Sequence, residues 1–276
     1  MIVVVSEPLA LKETRLREIL RSFESVVVAF SGGVDSALVL AIASEVLGPR
    51  AWGVTGKSAS LAASELRGAV GFAAGLGAAH AVVDTNELAN PNYLANPANR
   101  CYYCKDELYG KLAEIARERG ARVVVDGFNL DDAADYRPGR KAAGEHGVRS
   151  PLAECGFTKA DVRALARDRG LDVWEKPALA CLSSRFPYGT PITLELLRQV
   201  EAAESAVHAV GIRSCRVRHH GEVARIEVPQ DDLAALVAPG ARDAIVAGVR
   251  AAGYRYVALD LGGYVSGNLN GPLHGA

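Results

Sequence analysis

Short apolar runs alternate with longer stretches in which apolar residues recur every three to four positions. The runs at 26–30, 51–55, 79–83, 122–125 and 171–174 read as buried strands. Between them, 37–47, 61–76, 108–119 and 158–169 read as helices, preceded by an amphipathic helix at 9–23 with Leu16, Ile19, Leu20 and Phe23 on one side. Thr158 is placed to cap the 158–169 helix, with Asp161 three residues on as an acidic capping-box partner. Strands alternating with helices predict a doubly wound α/β fold with a parallel sheet, whose ligands sit beyond the carboxyl ends of the strands. Pro187, Gly189 and Pro191 mark a change of pattern, so the expected domains are 1–186 and 187–276. The second reads as a smaller α+β domain. It has a helix at 194–210, a hairpin from 213–218 and 222–228 around His219-His220-Gly221, helices at 232–236 and 241–252, and a strand at 254–259. No internal repeat is visible, and the polar, glycine-rich tail from Asn268 reads as disordered.

The first strand runs straight into Ser31-Gly32-Gly33-Val34-Asp35-Ser36 and then into a helix. A strand, a glycine turn and a helix N-terminus in sequence make backbone N–H groups converge where the helix dipole adds positive potential. Gly32 and Gly33 allow a tight turn and a close approach of phosphate to backbone. Ser31 and Ser36 offer hydroxyls, and Asp35 can hold Mg²⁺ beside a phosphate. The pattern resembles the PP-loop of ATP pyrophosphatases, which cleave ATP between the α- and β-phosphates. The resemblance implies ATP contacts from Ala29, Phe30, Ser31, Gly32, Gly33, Asp35 and Ser36. The segment AWGVTGKS at 51–58 fits a relaxed P-loop pattern but is a decoy. Gly48-Pro49-Arg50 before it is already a turn, so 51–55 must be the strand, and the first glycine is missing.

Composition narrows the class. The chain has 276 residues, 49% of them apolar, and a formal charge of −1. That supports a substantial core in one large or two small domains. No apolar run approaches the ~20 residues of a membrane helix, and residues 1–6 lack a secretory pattern. We expect a cytoplasmic protein with no membrane association. The near-zero charge weighs against a broad nucleic-acid surface. The cysteine count, five, is odd. In a cytosolic chain such thiols are buried, metal-bound or reactive rather than paired.

Other polar clusters fall at expected strand ends and loops. Asp126-Gly127-Phe128-Asn129 closes the fourth strand, where Asp126 and Asn129 face ribose or pyrophosphate, or simply shape a βα turn. Arg185 lies in a polar loop at 183–189 and suits bidentate phosphate binding, or is a surface arginine. Arg216 and Arg218 alternate on a strand and so share a face, which needs an anion or acids between them. Glu204 and Glu227 are candidates for a carboxylate pair on a divalent metal. Cys101 and Cys104 form a CxxC just before a helix, and Cys181 lies far along the chain. Three thiolates suit a [4Fe–4S] cluster with one open iron. Zinc and a thioredoxin-like redox pair are the competing readings of the CxxC. Cys155 and Cys215 read as core residues.

Taken end to end, the chain resembles the LarE-type PP-loop sulfur transferases. The matching segments are VAFSGGVDSALVL, DGFN, DYRPGRKA, CLSSRFPYGTPIT, RVRHHGEVARIEVP and YRYVALDLGGYVSGNLN. The resemblance implies a substrate, pyridinium-3,5-biscarboxylic acid mononucleotide, a precursor of the nickel-pincer nucleotide of lactate racemase. ATP with Mg²⁺ adenylates a carboxylate, pyrophosphate leaves, and sulfur displaces AMP to give a thiocarboxylate, twice over. It implies that Ser184, Arg185, Arg216 and Arg218 hold the substrate phosphate and that Glu204 and Glu227 are metal-site acids. It also implies a homo-oligomer. One class of the family sacrifices a single cysteine, here Cys181, as sulfur source. The presence of Cys101 and Cys104 places this chain with the cluster-type members, in which Cys101, Cys104 and Cys181 hold a [4Fe–4S] cluster. The sulfide donor is left unnamed by the sequence.

The chemistry is coherent. A carboxylate oxygen is a poor leaving group, and adenylation replaces it with AMP. Sulfur then supplies a strong nucleophile near neutral pH. The runner-up is a cluster-dependent tRNA thiolase, which shares the PP-loop and the cysteines but carries a more basic surface or an added RNA-binding module. An amide-forming PP-loop synthetase, which needs no cysteines, and a non-enzymatic adenine-nucleotide sensor complete the alternatives.

Overall fold

The computed structural model describes residues 7–134, 137–177 and 180–265. It comprises two compact units, Met1–Asn90 with Ala98–Leu179, and Pro91–Pro97 with Ala180–Ala276. In chain order the elements are α1 (Leu9–Ser22), β1 (Val26–Ala29), α2 (Val34–Leu47), β2 (Ala51–Lys57), α3 (Ala63–Leu76), β3 (Ala79–Asp84), α4 (Pro91–Leu94), α5 (Arg100–Arg119), β4 (Val123–Val125), α6 (Gly139–Glu145), α7 (Pro151–Glu154) and α8 (Lys159–Asp168). There follow α9 (Leu194–His208), β5 (Arg216–His220), β6 (Val223–Glu227), α10 (Leu233–Val237), α11 (Pro239–Ala251) and β7 (Tyr256–Leu259).

The first unit is built on a parallel sheet of order β3-β2-β1-β4. Val26, Val27 and Val28 of β1 are fully buried, as a central strand covered on both faces requires. Alternation sorts them. Val26 and Val28 pack with Leu16, Leu20, Leu38, Leu40 and Val162 of α1, α2 and α8. Val27 packs on the other face with Tyr109, Leu112, Ala142 and Ala143 of α5 and α6. Helices on both faces make the sheet doubly wound, as expected. Thr158 and Asp161 form the predicted capping box: the Asp161 N–H donates to Thr158 Oγ1 at 3.2 Å and the Thr158 N–H donates to Asp161 Oδ2 at 2.9 Å.

Three local expectations change. The run 171–174 is no strand. Leu171 buries its side chain, and Asp172–Glu175 forms a 3-10 turn. The sheet edge beside β4 is instead occupied by the backbone of Arg149, whose N–H donates to Val124 and whose carbonyl accepts from Asp126. Helix α5 starts at Arg100, not 108, so the CxxC lies in its first turn rather than before it. The apolar periodicity of its buried residues begins only at Tyr109, which hid the earlier turns.

In the second unit, β5 and β6 pair antiparallel and β7 adds parallel to β6. The hairpin is tighter than expected: His219 and His220 belong to β5 and the chain turns at Gly221, where φ is +62°. This unit begins at Ala180 rather than at 187 and takes in Pro91–Pro97. Local bonds explain this. Tyr93 Oη lies 2.6 Å from Ser183 Oγ, and Asn96 Nδ2 donates to the Pro187 carbonyl at 2.8 Å. The proline and glycine residues at 187–191 are therefore a turn inside the unit. The tail from Asn268 lies outside the described residues. Among the described residues no helix is long and apolar enough to cross a membrane.

Candidate functional site

The glycine loop stands at the carboxyl end of β1. Phe30 extends the strand through an N–H bond to the Val54 carbonyl and is buried. Gly32 then takes a φ of +75°, and a Cβ there would sit 3.0 Å from that of Ala69, so both backbone and packing ask for glycine. Gly33 precedes the first residue of α2. Ser36 Oγ braces the loop: it accepts from the Ser31 N–H at 3.2 Å, donates to the Gly33 carbonyl at 3.1 Å and lies 3.1 Å from Ser31 Oγ. The loop is thus shaped before any ligand enters.

Asp35 in the first turn of α2 is held from two sides. Asn129 Nδ2 donates to Oδ1 at 3.0 Å, and Lys159 Nζ lies 2.5 Å from Oδ2. Asn129 is itself buried and fixed, its Oδ1 accepting from the Asp131 and Asp132 N–H groups. Between them Gly127 lies against the helix start; a Cβ on it would come within 2.6 Å of the Ser36 nitrogen. The DGFN segment therefore reaches the loop through Gly127 and Asn129. Asp126 turns elsewhere: its carboxylate accepts from Tyr109 Oη at 3.1 Å, Ser150 Oγ at 2.7 Å and the Phe128 N–H at 3.1 Å. Burial and this carboxylate push the Tyr109 phenol up to about 12.

Two lysines that sequence reasoning did not single out stand at the loop. Lys159 is the first residue of α8, directly after its cap. Lys176 Nζ lies 3.2 Å from the Gly32 carbonyl oxygen and 2.7 Å from Glu65 of α3. A lysine following a helix cap that faces the ligand edge was a usable signal for Lys159. Lys176 had none, because its contact depends on a turn that the sequence presented as a strand.

Cys101 and Cys104 share the first turn of α5, three residues apart and so on one face; Cys101 is exposed and Cys104 half-buried. This donor pair fits two ligand positions of a thiolate-held group, with access from solvent. Cys181 is half-buried in the second unit. Among the described residues, no group of three or more His, Cys, Asp or Glu is assembled for a metal ion. Cys155 and Cys215 are buried; burial pushes the Cys155 thiol up to about 11 and the Cys215 thiol higher still, in keeping with core roles.

Within the second unit, Ser184, Arg185, Arg216 and Arg218 come together, but the acids expected to bind metal are engaged by the arginines. Arg185 Nε and Nη2 donate to the two Glu204 oxygens at 2.8 and 3.0 Å, and Glu204 Oε1 also accepts from the Val217 N–H. Arg185 Nη1 reaches the carbonyls of Ala180 and Cys181 and the Ser184 hydroxyl. Arg218 Nε and Nη2 donate to Glu227 Oε2, and Nη1 donates to the Ser184 carbonyl at 2.8 Å. Arg225 takes the other oxygen of the fully buried Glu227. Where a divalent-metal pair was expected, these buried carboxylates meet guanidiniums, the paired charge that buried carboxylates need. The acids also answer the repulsion expected between cations on one strand face. Arg216 stacks over Tyr264 at 5.1 Å; burial, with Arg185 and Arg218 nearby, lowers its pKa.

The NAD synthase family model matches residues 12–96, the segment carrying the glycine loop. A protein of Synechocystis described as uncharacterized is 46% identical over 94% of this chain and 97% of its own. The pyridinium-3,5-bisthiocarboxylic acid mononucleotide synthase of Lactiplantibacillus plantarum is 40% identical over 96% of both chains. A protein of Methanocaldococcus jannaschii, also uncharacterized, is 26% identical over 86% of this chain. With a PP-loop at the head of a doubly wound sheet and this end-to-end similarity, the chain belongs to the LarE-type family of pyridinium-3,5-bisthiocarboxylic acid mononucleotide synthases.

Proposed function

We propose that this protein is an ATP-dependent sulfur transferase that converts the carboxylates of pyridinium-3,5-biscarboxylic acid mononucleotide to thiocarboxylates for a nickel-pincer cofactor. The observation that carries the reading is the end-to-end similarity to a named synthase together with an intact, pre-shaped glycine loop. The loop N–H groups, the Ser31 and Ser36 hydroxyls and the α2 dipole receive the phosphates of ATP, and Asp35 holds Mg²⁺. Placing a carboxylate oxygen in line with the α-phosphate makes the acyl adenylate, and the pyrophosphate stays in the loop until release. Ser184, Arg185, Arg216 and Arg218 form the cationic region for the substrate phosphate. Arg185 also fixes the carbonyls of Ala180 and Cys181, and with them the backbone from which Cys181 projects.

For sulfur delivery we propose that Cys101, Cys104 and Cys181 are the donor set of a [4Fe–4S] cluster. When bound, such a cluster supplies an iron-held sulfide as nucleophile. The support is the pair of thiols on one helical turn in a chain that also carries Cys181. The sacrificial use of Cys181 is the competing route. The family resemblance further supports a cytoplasmic homo-oligomer, and the charge balance supports no nucleic-acid partner.

The test is pyrophosphate release that depends on the pyridinium mononucleotide, with mass spectrometry of the product showing oxygen exchanged for sulfur. Release without that acceptor, or none with it, overturns the substrate assignment. Anaerobic purification with iron and sulfide analysis decides the route. About four irons per chain, lost in Cys101→Ala, support the cluster. Iron-free protein that loses H₂S from Cys181 on turnover supports sacrifice.

A further inference from the structure

We propose that Lys176 is an ATP ligand that binds the pyrophosphate end of the nucleotide, and that Glu65 holds its ammonium at the loop mouth until ATP arrives. The proposal rests on the reading of the glycine loop as an ATP site.

The argument starts from how Lys176 is mounted. Arg163 of α8 donates through Nη1 to the Trp174 carbonyl at 2.6 Å and through Nη2 to the Lys176 carbonyl at 3.0 Å. The backbone at 176 is thereby tied to α8, itself fixed by its capping box. What remains adjustable is the lysine side chain, about a quarter exposed. Its ammonium contacts the carbonyl of Gly32, the residue whose positive φ turns the loop. At 3.2 Å this is a long bond to a neutral acceptor. A phosphate oxygen arriving at the same loop is a charged acceptor, and charge-assisted bonds are roughly twice as strong.

The second partner is also able to let go. Glu65 lies in the first turn of α3, where the helix dipole stabilises its negative charge without a cation. Lys176 therefore moves between two anions, Glu65 and phosphate, with little rearrangement. Lys159 is mounted differently: its ammonium lies against the Asp35 carboxylate, whereas that of Lys176 lies against the loop carbonyl.

In the reaction Lys176 forms no covalent bond. It offsets the charge that builds on the leaving pyrophosphate as the bond from the α-phosphorus to the bridging oxygen breaks.

The experiment measures binding of α,β-methylene-ATP with Mg²⁺, and of AMP, to the full-length protein by calorimetry, with pyrophosphate release alongside. In Lys176→Gln we expect the ATP analogue to bind on the order of 10²-fold more weakly, with AMP binding unchanged. Equal weakening of both nucleotides points to a structural role, and unchanged binding of both removes the contact; either overturns the proposal. Glu65→Gln is the second variant and carries the test if Lys176→Gln does not fold. It frees the ammonium, so the analogue should bind more tightly, and unchanged or weaker binding overturns the handover. Failure of the wild-type protein to bind either nucleotide would instead sink the ATP-site reading itself.

Discussion

Lys159 Nζ lies 2.5 Å from Asp35 Oδ2, across 124 residues of sequence. The acid at the start of α2 is thus neutralised by the first residue of α8, while Asn129 fixes its other oxygen. An unpaired carboxylate beside incoming phosphates would repel them. Here the same group is kept in one orientation and its charge is offset by the ammonium.

This pairing predicts strong coupling. Lys159→Met leaves the Asp35 carboxylate without its cation beside the glycine loop, and Asp35→Asn removes the proposed Mg²⁺ ligand. Each should lower kcat/KM for ATP by on the order of 10²-fold, measured as acceptor-dependent pyrophosphate release. In the double variant the losses should be well short of additive, since each change removes the same contact. Additive losses would show that the two residues act independently.

Gly127 is the tightest approach between the DGFN segment and the glycine loop. A methyl group at this position meets the Ser36 nitrogen at 2.6 Å and the Asp35 carbonyl carbon at 2.9 Å, both backbone atoms of a helix start that cannot give way alone. Gly127→Ala should therefore cost about 1–3 kcal/mol of stability and raise KM for ATP by displacing Asp35. Urea denaturation and steady-state kinetics check the two effects. A variant of wild-type stability and KM would mean that the contact is loose in solution.

Much of this site was legible because its signals are local. The Ser-Gly-Gly turn, the buried valines before it and the Thr158 cap each act within a few residues, so the pattern of the chain displays them. Lys159 and Lys176 were missed for the opposite reason: their partners Asp35 and Gly32 lie 124 and 144 residues away. Leu171 misled because three apolar or aromatic residues, Leu171, Val173 and Trp174, in a four-residue run suit a strand, while the backbone of Arg149 occupies the sheet edge beside β4. Glu204 and Glu227 read in the sequence only as a candidate carboxylate pair for a divalent metal. Only the structure pairs them with arginines, because helix α9 and strand β6 are brought beside Arg185 and Arg218 by tertiary packing.

Burial of Cys155 makes stability depend on alkaline pH. Its thiol is pushed up to about 11 by desolvation, with the Glu154 charge adding to the effect. A thiol raised in the folded state is protonated there while the unfolded chain has already ionised. The stabilisation is complete below the unfolded value near 8.5 and is lost as pH rises toward about 11. Denaturation midpoints measured across that window should fall, and Cys155→Ala should flatten the fall while lowering stability at neutral pH. A midpoint with the same pH profile in both proteins would contradict the assignment.

The pair between Arg185 and Glu204 gives the sharpest separation of stability from chemistry. Both side chains are almost fully buried and meet through two hydrogen bonds, while the third guanidinium nitrogen holds the carbonyls of Ala180 and Cys181. Removing one partner leaves a buried charge without compensation, so Arg185→Met or Glu204→Met should each cost about 3–5 kcal/mol. Replacing both with methionine should recover most of that loss, since buried ion pairs are close to break-even with apolar packing. Sulfur insertion should not recover with it, because the Cys181 backbone has lost its anchor and the proposed phosphate site one of its cations. Pyrophosphate release and sulfur insertion are measured separately on the double variant. If the stabilised double variant transfers sulfur at the wild-type rate, Arg185 is a structural arginine and the phosphate site lies elsewhere.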